Sequence, residues 1–103
     1  MPVAMIQEFK VEGNDRSTTN YDAIQERLNT RDNPPEGGLF HTAGFDEQSG
    51  VFRIFDVWET REQGERFVNE QIMPLIQELG RGGADFRPPD RESWYELHEF
   101  LGG

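Results

Sequence analysis

Two strand-like runs, Leu39–Phe45 and Val51–Glu59, are separated by only the polar residues Asp46-Glu47-Gln48-Ser49 and Gly50. A connection this short can join two strands only as an antiparallel hairpin, because a parallel return needs a crossover of a dozen residues or more. Whatever the rest of the chain does must therefore be built around a central hairpin.

The flanking segments supply the rest of the order. Pro2 to Val11 is a Val/Ala/Met/Ile/Phe run with Gln7 and Glu8 inside it, which reads as a first strand with at least one buried face. Gly13, Asn14 and Asp15 break it. Ser17, Thr18 and Thr19 then offer N-caps to a helix with Tyr21, Ile24 and Leu28 on one stripe. Asn33-Pro34-Pro35-Glu36-Gly37-Gly38 ends that helix, since proline cannot continue it. Directly after the hairpin, Thr60-Arg61-Glu62-Gln63 has the spacing of a capping box, in which hydroxyl and amide satisfy backbone groups reciprocally. The helix it opens carries Phe67, Val68, Ile72, Leu75, Ile76 and Leu79 up to Gly80, with Pro74 predicting a kink or break near Gln71. Residues 80–92 are mostly loop, and Ser93 to Leu101 makes a last aromatic strand.

Strand, helix, strand, strand, helix, strand is a ferredoxin-like α+β fold: a four-stranded antiparallel sheet with both helices on one face, in a single domain over residues 1–103. Only 24 of 103 residues are Leu, Ile, Val or Phe, and the formal charge is -10, so the core of one chain is thin. The second sheet face carries aromatic residues and needs cover, which predicts a homodimer.

Composition also limits function. Twenty acidic residues against ten basic ones, of which only Lys10 is lysine, argue against nucleic acid. No run of apolar residues approaches the roughly 20 that span a membrane, and Met1–Phe9 has no basic leader or small-residue cleavage site, so a soluble, cytoplasmic protein is expected. With no cysteine there is no disulfide, thiolate nucleophile or cysteine-based metal site.

Polar groups inside apolar strands are the candidates for chemistry. Asp56, between Phe55 and Val57, must be paired, protonated or solvated by a cavity, and it shares a face with Phe52, Ile54 and Trp58. If the loop is 46–49, Phe45 faces Gly50, His41 faces Ile54, and His41 is diagonal to Asp56 on one face. A five-residue loop would reverse this. On the last strand, Tyr95, Leu97 and Leu101 suit packing under the helices, with Phe55 joining them there. Trp94, Glu96, His98 and Phe100 then face the space between two sheets. The candidate catalytic residues are thus His41, His98 and Asp56: one or both imidazoles as general base, with Asp56 fixing a tautomer or raising basicity. Phe52, Trp58, Trp94 and Gln7 are the candidate ligand-binding residues, the aromatics lining a cavity suited to a flat organic ligand. The competing reading makes each a buried hydrogen-bonding or packing group. Two histidines and one aspartate on separate strands give no metal-ligand spacing, so no metal is expected.

Asp56-Val57-Trp58-Glu59-Thr60, then Phe67 through Pro74-Leu75 and Gly80, supported by Tyr21-Asp22-Ala23, Gly38–Gly44 and Leu97-His98, resemble the dimeric α+β barrel superfamily that includes the antibiotic-biosynthesis monooxygenases. The resemblance covers nearly the whole chain. It implies two sheets closing a barrel, a pocket in each subunit, and cofactor-independent oxygenation or isomerisation of a small aromatic or polyketide-like molecule; the alternative is a non-catalytic homodimeric module. Haem-degrading relatives pair an Asn on strand one and a Trp on strand three with an iron-ligating His on helix two. Here Gln7 and Trp58 stand at the first two places, but Thr60–Gly80 contains no His, so no haem is expected. A shared fold does not fix a reaction.

Overall fold

The computed structural model describes residues 1–101. Strand β1 (Val3–Lys10) leads to helix α1 (Thr19–Leu28), the hairpin β2 (Gly38–Asp46) and β3 (Val51–Trp58), helix α2 (Arg61–Phe67), a π-helical turn at Val68–Ile72, helix α3 (Met73–Arg81) and strand β4 (Arg91–Glu96). The sheet order is β2-β3-β1-β4, every pair antiparallel, as the ferredoxin-like arrangement requires.

The hairpin forms as expected with a different register. Asp46 pairs with Val51, leaving Glu47–Gly50 as the loop, and His41 stands directly opposite Asp56 rather than Ile54. The Asp46 carboxylate explains the shift: it accepts the N–H groups of Gln48 and Ser49, and the Gly50 N–H donates to the Asp46 carbonyl. Gly50 takes φ 68°, a conformation that glycine adopts without strain. The move is two residues, so His41 and Asp56 remain on one face.

Thr60 caps α2 through Gln63 N–H to Oγ1 at 3.1 Å. The box is half of the expected one, because the Gln63 side-chain oxygen accepts from the Thr60 hydroxyl instead of reaching a backbone N–H. The regular helix is interrupted where Pro74 predicts, by a π turn over 68–72 that carries the helical backbone on into α3, with Pro74 in the first turn of α3.

Gly64 sets which sheet face lies under the helices. A Cβ there would sit 2.8 Å from Cη2 of Trp94 and 3.0 Å from Cδ1 of Trp58. The bare backbone of α2 thus rests on the two indoles, and Phe67 adds a ring 5.4 Å from Trp58. Trp58 and Met5 are each 3% exposed. By strand alternation the helix side of β3 is Phe52, Ile54, Asp56 and Trp58. This corrects three expectations. Trp94 packs under α2 and not toward a second sheet; Tyr95, expected under the helices, lies on the open side in register with Ala4 and Val57; and Phe55 is on that open side too, 6.3 Å from Phe40, which in turn meets Phe100 at 6.1 Å. Aromatics on both alternations made the two faces look alike; a glycine where α2 crosses the tryptophans distinguishes them.

The last strand is also shorter than expected. β4 ends at Glu96 because its partner β1 begins at Val3; beyond the Leu97 N–H to Pro2 carbonyl bond there is no strand edge left to pair with. His98 therefore lies outside the sheet and is exposed.

Candidate functional site

The hairpin register places His41 and Asp56 as cross-strand neighbours, and α1 completes the group. His41 Nδ1 is 2.5 Å from Asp56 Oδ1, and His41 Nε2 is 2.6 Å from the Tyr21 hydroxyl. The Asp56 side chain is 12% exposed and the His41 side chain 42%, so the chain of bonds runs from inside the protein to its surface. Tyr21 is oriented by an edge contact with Phe52 (5.5 Å between centroids), and Phe52 in turn packs on Phe45 at 4.9 Å.

With Asp56 accepting, the neutral imidazole carries its proton on Nδ1, and Nε2 accepts from the Tyr21 O–H. The hydrogen bond from Asp56 raises the His41 pKa above 6.5; burial opposes it, and the carboxylate charge adds to the rise. Burial is the main reason that the Tyr21 pKa lies above 10, with the charges of Asp56 and Asp22 adding to it, so its hydroxyl stays protonated at neutral pH. The arrangement is a base made stronger by a buried carboxylate and capped by a neutral phenol, which can hold or pass one proton.

The other candidates are dispersed. Gln7 is on the helix side opposite Ile54 and donates to Glu92 Oε1 at 3.2 Å. Trp94 is flanked by Gly64 and by the Arg61 guanidinium, 5.1 Å from its ring centroid. Trp58 is buried with its indole N–H unpartnered. His98 is remote in position from the group, in the segment after β4. Among the described residues no cluster of three or more His, Asp or Glu could hold a metal ion.

Tyr21 is the member of the group that sequence reasoning missed. It occupies an ordinary place on the apolar stripe of α1; the one signal available was a polar tip on that stripe, near the start of a helix packed on the hairpin. A groove of about 360 Å³ lies between Leu28–Glu36 and Gln63–Gln71, and another of about 270 Å³ lies on the open face beside Arg53 and Phe55. Neither is lined by Tyr21, His41 or Asp56.

No protein-family model and no curated protein matches the chain. Solved structures do. SnoaB, a cofactor-independent oxygenase from Streptomyces nogalater, superposes with a TM-score of 0.61 at 12% identity, over 99% of this chain and 98% of that one. A protein of Chloroflexus aurantiacus assigned to the antibiotic biosynthesis monooxygenases gives 0.61 at 16% identity, over 99% and 98%. The haem-degrading protein Rv3592 of Mycobacterium tuberculosis gives 0.58 at 13%, over 99% and 100%. The chain shares the ferredoxin-like α+β fold of these structures. At these identities the likeness concerns the fold, and the chemistry must be argued from the site.

Proposed function

We propose that this chain binds a small, flat organic molecule and removes a proton from it without a cofactor, as the first step of an oxygenation or an isomerisation. The observation that carries the reading is the Asp56–His41 pair. A carboxylate buried in an apolar strand is costly unless it is paired and hydrogen-bonded, and here its partner is a half-exposed imidazole whose basicity it increases. His41 is the base and Asp56 its orienting partner. Phe52 borders the place where a substrate ring would lie, and the unpartnered N–H of Trp58 is a donor that a ligand could satisfy. His98 has no part in this reading, since it is exposed and outside the sheet. Gln7 and Trp94, already engaged by Glu92 and by α2, serve as walls. In an oxygenase the deprotonated substrate itself would reduce oxygen. In an isomerase the proton returns to another carbon.

We further propose a homodimer, with a second copy on the open sheet face. Phe40 and Tyr95, 43% and 47% exposed, lie on it with Phe55. A cytoplasmic location belongs to the same reading and rests on the cysteine-free sequence.

The alternative, a non-catalytic homodimeric module, is favoured by one observation: the Nε2 of His41 is capped by Tyr21. Oxygen uptake and solvent-deuterium incorporation over a panel of phenols and quinols decide between them. Turnover that falls about 100-fold or more in His41→Ala supports the enzyme. No turnover across the panel supports the module, and turnover that is unchanged in His41→Ala removes His41 as the base.

A further inference from the structure

Both nitrogens of His41 are occupied, Nδ1 by Asp56 and Nε2 by the Tyr21 hydroxyl, so no lone pair of the imidazole is free to meet a ligand. Tyr21 also forms every hydrogen bond and ring contact between α1 and the sheet among the described residues, those with His41 and Phe52. The other hydrogen bonds of α1 to the rest of the fold lie near the surface: Asn20 Nδ2 to the Asp85 carbonyl at 2.7 Å, and Arg27 to Glu78 at 2.8 Å, with both side chains of the latter pair about half exposed; Ala23, Ile24 and Leu28 are half-buried. Exposed ion pairs of this kind add little to stability. No residue of α1 is buried. The helix is flanked by Gly13 at φ 60° and Asn29 at φ 51°, positions outside regular structure where the chain can change direction. A helix with no fully buried residue, whose hydrogen bond and ring contacts to the sheet all come from one side chain, belongs to the low-stability end of a fold.

We propose that α1 is a lid and Tyr21 its latch: the phenol seats on Nε2 of His41 in the closed state, and a ligand reaches the imidazole only when α1 lifts and withdraws it. The His41 side chain is 42% exposed, so it is the capped Nε2, and not burial of the ring, that closes the base to a ligand. The lid deepens the proposed function, since it regulates access to the same base, but its test reads access rather than turnover, so that either claim can fail without the other.

Diethyl pyrocarbonate acylates neutral imidazole, and the chain has two histidines, one capped and one exposed. Acylation of each is followed by peptide mass analysis across a pH series, so that the neutral fraction of each ring is known. In the native chain His98 reacts quickly and His41 slowly. Tyr21→Phe keeps the ring on Phe52 but removes the latch, and it speeds His41 by about fivefold to tenfold, the worth of one hydrogen bond. His98, exposed and outside the sheet, keeps its rate and serves as the internal reference for the reagent, while an unchanged circular dichroism spectrum and melting temperature report that the fold is intact. Asn20→Ala leaves Tyr21 untouched and loosens α1; it also speeds His41. Equal rates for His41 in the native chain and in Tyr21→Phe overturn the latch. Acceleration in Tyr21→Phe with none in Asn20→Ala shows the side chain swinging alone, and overturns the lid.

Discussion

His41 and Asp56 face each other across the β2–β3 hairpin, Nδ1 to Oδ1 at 2.5 Å, with the carboxylate on the helix side of the sheet and the imidazole half exposed. Their closeness is a product of register. One residue of slip in the hairpin would put the two side chains on opposite faces, and the Asp46 turn that fixes the register is therefore also what assembles the pair.

The pair should register in stability against pH. Because the folded His41 pKa is raised above 6.5, its stabilisation is complete below that value and is lost as pH rises through the raised one. Thermal melts of the native chain and of His41→Gln should therefore differ most at mildly acidic pH and converge at alkaline pH. The difference should be about 1 kcal/mol at most, since the imidazole is 42% exposed and solvent screens the charge. A difference that grows with pH would reverse the assigned sign.

Gly64→Ala tests how α2 is seated. Alanine is better than glycine in a helix by about 1 kcal/mol. Against that, the new methyl meets Trp94 at 2.8 Å and Trp58 at 3.0 Å, both rigid rings and one of them buried. Overpacking costs about 1–3 kcal/mol, so urea unfolding should show a net loss of up to about 2 kcal/mol. A gain would mean that α2 stands further from the sheet.

How much of this was legible in the chain depended on whether the deciding interaction is local. The Thr60 cap and the Pro74 break involve neighbours in sequence, and both appear where the residues predict them. The end of β4 depends on where β1 begins, ninety residues away, so the aromatic run through Phe100 overstated it. The face assignment failed for a related reason: Phe, Trp and Tyr occupy both alternations, and only the approach of Gly64 to Trp58 and Trp94 separates them. Asp56 and His41 stood out as polar residues in apolar strands. Tyr21 did not, because a tyrosine on a helix stripe looks like packing until its hydroxyl is found on an imidazole.

Asp46 governs the acid side. Arg53, the Ser49 backbone and the Ser49 side chain, in that order, lower its pKa from 3.8 to about 2. The stabilisation it contributes is present above 3.8 and disappears as pH falls through about 2. Asp46→Asn should melt lower than the native chain at neutral pH, and the two should converge toward pH 2; the same gap at both ends would show that the carboxylate charge is not what holds the turn.

The open sheet face predicts the oligomer. Light scattering at micromolar concentration should give twice the chain mass of 11.9 kDa. Phe55→Ala should weaken the dimer, shifting mass toward the monomer on dilution, because Phe55 and Phe40 lie on that face. A monomeric mass for the native chain at micromolar concentration would remove the proposed partner.

The most direct measurement is an NMR titration of the His41 ring in the native chain and in Asp56→Asn. If Asp56 makes His41 the base of the site, the native ring titrates above 6.5, carries its proton on Nδ1 when neutral, and loses the upward shift in Asp56→Asn. The same titration midpoint in both proteins would contradict the account, leaving the carboxylate and the imidazole as neighbours with no shared chemistry.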